Sequence, residues 1–463
     1  PVALQDAAAL VLRLGEPERT LDFLSAAPWV ARLAAPAEKS YVLRGLFLSL
    51  EDRQALLARY QAQPVTAEAA AAARIFGQME QENGQSAQAK QWLEQALAGN
   101  NQLHGAASKE VAGVWRDMAR VYGPDGLEDH PQALACQQKR LEILSQLHGA
   151  VSEEVAGVWE DMGYIYHFSL YDYTQALACQ QQVLEIMTKL HGPISKEVAR
   201  VWDYMAELYG VDGLRDYPQS HNCHHQRLEI YTKLHGAASE EVAGVWRDMG
   251  ENFSGIDNPR ALDCHHQRLE IMAQLHGAAS EKVAGVWEEM ARVYGSRGLN
   301  DYPQALACHQ RRLEIYTQLY GAVSKEVAGV WNEMARVYVH DLEDYPQALA
   351  CQQKRLEILS QLHGEVSEEV AGVWEDMAGI YRYYLNDYPQ ALECLTKSLE
   401  IFSQLHGEKS WHVANLRDEM ARIRVEASRQ NHIQAVTRPW QSRLSKATEE
   451  MQRLLLVFPE AQD

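Results

Sequence analysis

No run of this sequence is apolar for anything close to the ~20 residues that a membrane span requires. The segment from Val2 to Leu14 is apolar but has no basic leader and no cleavage motif, so it does not read as a signal peptide. Basic residues are in deficit: 43 Lys and Arg stand against 63 Asp and Glu, a formal charge of −20. Phosphate binding draws on a cationic surplus, which argues against nucleic acid as a partner and disfavours anionic membrane surfaces. A Gly-x-x-x-x-Gly-Lys-Ser/Thr phosphate loop, a Gly-x-Ser-x-Gly elbow and a His-Glu-x-x-His motif are all missing. Cysteine is sparse, and its seven copies are not scattered.

Those seven, Cys136, Cys179, Cys223, Cys264, Cys308, Cys351 and Cys394, occupy one position in a unit of about forty-three residues that recurs down the chain. Leu-His-Gly ends at Gly105, Gly149, Gly192, Gly236, Gly277, Gly364 and Gly407, with Leu-Tyr-Gly at Gly321 filling the gap. Ten residues after each of the first seven glycines stands Trp115, Trp159, Trp202, Trp246, Trp287, Trp331 or Trp374. Such self-similarity is the signature of a solenoid, in which each unit buries its apolar face against its neighbours. It also lowers the odds of an enzyme, since a reacting centre rarely needs one constellation copied seven times. Equivalent thiols on stacked units should lie roughly 10 Å apart, too far for the ~7 Å Cα limit of a disulfide. They are expected to be reduced and semi-buried, which suits a cytoplasmic setting.

Within the unit, Gly105 is placed to end a helix in the left-handed conformation, and Ser108 to cap the next. Ser152, Ser195, Ser239, Ser280, Ser324 and Ser367 repeat that cap. The first helix carries Val111, Val114, Trp115, Met118, Val121 and Tyr122 on one apolar stripe at helical spacing. The Trp ladder and the Met ladder from Met118 to Met420 therefore read as core. Gly123-Pro124-Asp125-Gly126 is strong turn chemistry, and Asp129-His130-Pro131 opens a second helix that runs to about Leu147. Each unit is an antiparallel helical hairpin.

These residues resemble the tetratricopeptide repeat family, in particular the long-loop form of about 42–44 residues found in kinesin light chains. The subgroup's Gly-Pro-x-x-x-x-Val-Ala appears as Gly192-Pro193-Ile194-Ser195-Lys196-Glu197-Val198-Ala199. The large-small-aromatic triplet of the first helix appears as Trp115, Ala119 and Tyr122, and the small residue of the second as Ala133. Gly84, Ala89, Leu93 and Ala96-Leu97 fall at the offsets of the shorter form. The resemblance implies an all-α, right-handed superhelical solenoid of eight or nine antiparallel hairpins. One departure stands out. Where the family places an aromatic and then an alanine in the second helix, this chain has Gln137 and Arg140, so the contact there is either wetter or rotated.

Three segments are expected: an irregular helical cap or upstream remnant at 1–66, the repeat array at 67–428, and a linker with a C-terminal amphipathic helix at 429–463. Residues 429–438 read as the linker. Arg417 and Arg424 stand where other units have Trp and Tyr, which suits an end cap with no neighbour.

Cys223-His224-His225, Cys264-His265-His266 and Cys308-His309 invite a metal reading. Zinc needs about four ligands within ~2.3 Å of one point, whereas adjacent helical residues diverge and neighbouring units are too distant to share an ion easily. Gln137, Gln180 and Gln352 take the first His position elsewhere, which suits a polar, partly exposed side chain. Seven equivalent packing cysteines give no unique nucleophile. No metal, cofactor or catalytic residue is expected.

What varies between copies carries more information. In tetratricopeptide arrays the first helices line the concave side. The residue after each Trp runs Arg116, Glu160, Asp203, Arg247, Glu288, Asn332, Glu375. Four residues on, the series is Arg120, Tyr164, Glu207, Glu251, Arg292, Arg336, Gly379. Mixed charges on a constant scaffold suit selective binding of a peptide or partner domain in the groove; drift on a solvated face is the plain alternative. The expected role is a protein–protein interaction scaffold or sensor. A second reading, motivated by Pro1 in place of Met and the irregular first sixty-six residues, makes the array the regulatory arm of a signalling NTPase or caspase-like protease. That effector enzyme would act in cis or in trans.

Overall fold

A computed structural model describes residues 50–295 and 298–457. Of the irregular helical cap or upstream remnant expected at 1–66, residues 1–49 fall outside these residues. The chain forms two compact units, Pro1–Ala237 and Ala238–Asp463. Among the described residues each is an all-α repeat solenoid without strands.

In the first unit, α1 (Leu50–Ala62) precedes four hairpins: α2 (Ala67–Glu82) with α3 (Ser86–His104), α4 (Lys109–Val121) with α5 (His130–His148), α6 (Glu153–Tyr164) with α7 (Tyr173–His191), and α8 (Lys196–Tyr209) with α9 (Tyr217–His235). The second unit holds α10 (Glu240–Phe253) with α11 (Asn258–His276), α12 (Glu281–Tyr294) with α13 (Tyr302–Tyr320), α14 (Lys325–His340) with α15 (Tyr345–His363), and α16 (Glu368–Gly379) with α17 (Tyr388–His406), then α18 (Trp411–Val457).

Local chemistry sets these boundaries. Each first helix from α4 to α16 begins at a serine whose Oγ accepts from the backbone N–H three residues on, as in Ser108 to Val111 at 3.3 Å. Each second helix from α5 to α17 begins at an aspartate that does the same, as in Asp129 to Gln132. A cap of this kind stabilises its helix by about 1 kcal/mol. In six hairpins the residue before that aspartate, such as Glu128 or Arg215, is itself left-handed.

Gly149 ends α5 at φ 82° and ψ 163°. Its φ is positive as the sequence implies, but its ψ is extended rather than left-handed helical. The chain must leave α5 and reach Ser152 in three residues, so it straightens at the glycine instead of curling. Gly126 is required for a different reason: a Cβ there would lie 2.0 Å from the Val121 carbonyl oxygen.

The core follows the first-helix stripe. Val111, Val114, Met118 and Val121 are buried, and so is every methionine of the ladder from Met118 to Met420. The seven repeat tryptophans are only half-buried, contrary to their reading as core. Too large for the gap between stacked helices, the indole keeps one edge in solvent. The final helix also departs from expectation. It continues from Trp411 to Val457, through residues 429–438 and past Pro439. Its first part packs Val413, Leu416, Met420 and Ile423 into the core, while Arg417 and Arg424 are exposed.

Candidate recognition surface on the first helices

The two variable series split once side chains are placed. Arg116, Arg120, Glu160, Tyr164, Glu207, Arg247, Glu251, Arg292 and Arg336 are exposed. Asp203, Glu288, Asn332 and Glu375 are half-buried and already engaged by the second helices. Arg227 reaches Asp203 at 2.6 Å, and Arg312 reaches Glu288 at 2.7 Å. Asn332 accepts from Gln352 and Arg355, both at 3.0 Å, and Glu375 accepts from the Ser398 hydroxyl at 2.8 Å. Arg247 pairs with Asp248 at 2.9 Å, and Arg292 with Glu288 at 3.3 Å, both toward solvent.

Sequence reasoning missed the layer beneath. Two residues after each Trp comes Asp117, Asp161, Tyr204, Asp248, Glu289, Glu333 or Asp376; four residues after each Cys comes Arg140, Val183, Arg227, Arg268, Arg312, Arg355 or Ser398. Arg140 donates to Asp161 of the next hairpin at 2.5 Å, and Arg355 to Asp376 at 2.6 Å. Arg268 with Glu289, and Arg312 with Glu333, repeat the pairing. Arg74 of α2 plays the same part for Asp117, at 2.5 Å, with Gln78 donating to the same oxygen at 2.7 Å. The departure at Gln137 and Arg140 is thus a polar layer between hairpins. The available signal was the recurrence of Arg at one register with acid at another.

The first histidine of each Cys-His cluster belongs to that layer. His224, His265 and His309 are buried, not partly exposed as their polarity suggested. Burial, then the neighbouring Arg268, pushes the His265 imidazole down to about 4; burial and Arg312 do the same to His309. Burial pushes all seven cysteine thiols up to about 11, and all seven are free. Among the described residues no three His, Cys, Asp or Glu side chains converge as a metal site. No helix among them is long and apolar enough to cross a membrane.

In the first unit the surface deepens into a cleft of about 900 Å³ between α2, α4 and α6. Gln81, Arg116, Arg120, Asp161 and Tyr164 line it, with Asp117 at its floor. Two guanidiniums, Arg116 and Arg120, line it; burial, then the nearby Arg140, Arg74 and Arg120, hold Arg116 below the usual arginine pKa, with Asp117 partly opposing. Tyr164 is 56% exposed and packs on Phe168 with ring centroids 4.5 Å apart. Phe168 lies in a π-helical turn, Ile165–Ser169, of a kind repeated at Ile380–Tyr384. The cleft is mixed in charge, with Arg116 and Arg120 set among Glu82, Asp117, Asp125 and Asp161 and with Tyr164 at its edge.

Family models described as tetratricopeptide repeat match residues 326–404 and 161–195. A search of curated proteins found no match. Among solved structures, BtubC from P. vanneervenii is 16% identical over 60% of this chain and 93% of its own, with a TM-score of 0.33. A putative kinesin light chain from Podosopora anserina with nearly identical TPR-like repeats is 14% identical over 44% of this chain and 93% of its own, at a TM-score of 0.35. A Rap protein complexed with competence and sporulation factor is 15% identical over 79% of this chain and 100% of its own, at 0.29.

Proposed function

We propose that this chain, a tetratricopeptide-repeat protein, is a protein-interaction scaffold that holds a peptide or partner segment against its first helices. The observation that carries the reading is the cleft bordered by Arg116, Arg120 and Tyr164. Arg116 and Arg120 are exposed, and Arg116 has its ion-pair partner, Asp117, only at 3.9 Å. Arg116 is held below the usual arginine range by burial first and by the neighbouring Arg140, Arg74 and Arg120 second, and a carboxylate entering the cleft offsets both. Tyr164 supplies apolar contact at the rim, at little cost in side-chain entropy. The constant packing residues hold this surface rigid, which limits what binding must order. In the second unit, taken by itself, the exposed Arg247, Glu251, Arg292 and Arg336 offer charges of both signs on its own first helices.

The test is peptide selection on the full chain from a random displayed library. Recovered sequences should be enriched in Asp and Glu, and Arg116→Glu with Arg120→Glu should weaken them by about ten-fold or more, since like charges then meet. Peptides that bind the double variant with unchanged affinity would overturn the reading.

A further inference from the structure

Helix α9 (Tyr217–His235) breaks the repeat pattern at two places four residues apart. At the register of His221 the other hairpins carry Leu134, Leu177, Leu262, Leu306, Leu349 and Leu392. Each of those leucines is buried or half-buried. At the register of His225 they carry Gln138, Gln181, His266, Gln310, Gln353 and Thr396. Only α9 has imidazole at both, because His266 faces Leu262 at the paired position. Exchanging a packing leucine for histidine forfeits apolar burial, on the order of 1–2 kcal/mol by transfer.

Residues four apart on a helix share one face. Here the two Nε2 atoms lie 2.9 Å apart, with the rings nearly perpendicular at 85°. The Nδ1 of His221 is shielded from solvent, so Nε2 is its outward nitrogen. His225 is exposed. Imidazole nitrogens bound at about 2.0–2.1 Å and about 90° apart on one ion are separated by about 2.9 Å; tetrahedral angles need about 3.4 Å. Tetragonal coordination by nitrogen and oxygen is the preference of Cu(II) and Ni(II), and Cu(II) stands highest in divalent affinity.

We propose that His221 and His225 form a two-imidazole site for a divalent late first-row metal ion of tetragonal preference, copper or nickel. The remaining positions are open to water or to a donor from a bound partner. The site is independent of the cleft on the first helices, because it lies on a second helix. No electron transfer or bond cleavage is involved; each imidazole contributes its Nε2 lone pair to the ion.

The experiment is calorimetric titration of the full chain with Ni²⁺, which leaves the thiols unoxidised, beside His221→Leu and His225→Gln. Both variants install what neighbouring hairpins carry, and His225 is exposed, so circular dichroism should be unchanged. Wild type should bind one Ni²⁺ equivalent more tightly than either variant, by at least about ten-fold, since loss of a supporting outer ligand alone costs that much. The Cu²⁺ electron paramagnetic resonance spectrum should show two coupled nitrogens in wild type and one or none in the variants. Identical isotherms and spectra for all three proteins would overturn the site and reduce the pair to a hydrogen bond between imidazoles.

Discussion

The Arg268 guanidinium lies against the Glu289 carboxylate of the following hairpin, with side chains 12% and 19% exposed. Arg140 and Asp161 make the same link, but Asp161 is 45% exposed. Removing one partner of a buried pair strands the other, at about 3–5 kcal/mol, whereas an exposed pair is worth about 0–1 kcal/mol. Arg268→Val should therefore cost about 3 kcal/mol and Arg140→Val about 1 kcal/mol, read from urea unfolding midpoints. The chain contains its own apolar substitute, since Val183 and Tyr204 stand at these two registers. Arg268→Val with Glu289→Tyr should recover at least half of the single-variant loss. Equal costs for Arg140 and Arg268 would contradict the burial argument.

The seven cysteines should be inert in the folded protein. With pKa values near 11, only about 0.1% of each thiol is ionised at pH 8, against about a quarter for an ordinary thiol. An aromatic disulfide reagent should label less than one thiol per chain within minutes and all seven after denaturation in guanidinium. Rapid labelling of several native thiols would show that the second helices open readily.

Features that depend on a few neighbouring residues are legible in the sequence itself. Ser108 and its equivalents cap where the pattern puts them, and Met118 to Met420 are buried because helical spacing decides both. Features that depend on stacking are not. Arg140 finds Asp161 in another hairpin, twenty-one residues away, and neither residue announces the other. His265 reads as a surface residue from polarity alone, yet Gly250 lets the ring in: a Cβ on that glycine would sit 2.9 Å from its Cε1. Asp203, Glu288, Asn332 and Glu375 read as free because the second-helix groups that hold them lie outside the first helices. The half-exposed tryptophans show the same limit, since periodicity fixes a face and not its depth.

Two glycines should respond to alanine in opposite directions. Gly149 sits at φ 82°, ψ 163°, where no side chain is comfortable, although nothing lies within 4 Å of a new Cβ. Gly149→Ala should cost about 1–3 kcal/mol from backbone strain alone. Gly157 is inside α6, and a Cβ there also meets nothing within 4 Å. Gly157→Ala should stabilise by about 0.5–1 kcal/mol through helix propensity. Thermal midpoints moving in the same direction would show that packing, not backbone conformation, governs both.

Acid should weaken the second unit through its buried imidazoles. His265 is 2% exposed and titrates near 4 when folded, against 6.5 when exposed. Arg268, Glu289, Arg292 and His266 surround it, and Glu289 is itself pushed up by burial. Between those two values the unfolded chain holds a proton that the folded chain refuses, so stability rises with pH across this window. The contribution is intact above about pH 6.5, declines as pH falls toward 4, and amounts to on the order of 3 kcal/mol. The raised Glu289 acts in the opposite direction, so the informative quantity is the difference between wild type and His265→Gln, a residue this register carries as Gln137, Gln180 and Gln352. Urea midpoints from pH 7.5 to 4.5 should fall more steeply for wild type, with the curves converging at low pH or crossing. Parallel curves would mean that His265 takes up its proton in the folded state, through Glu289, and that the polar layer is open to water.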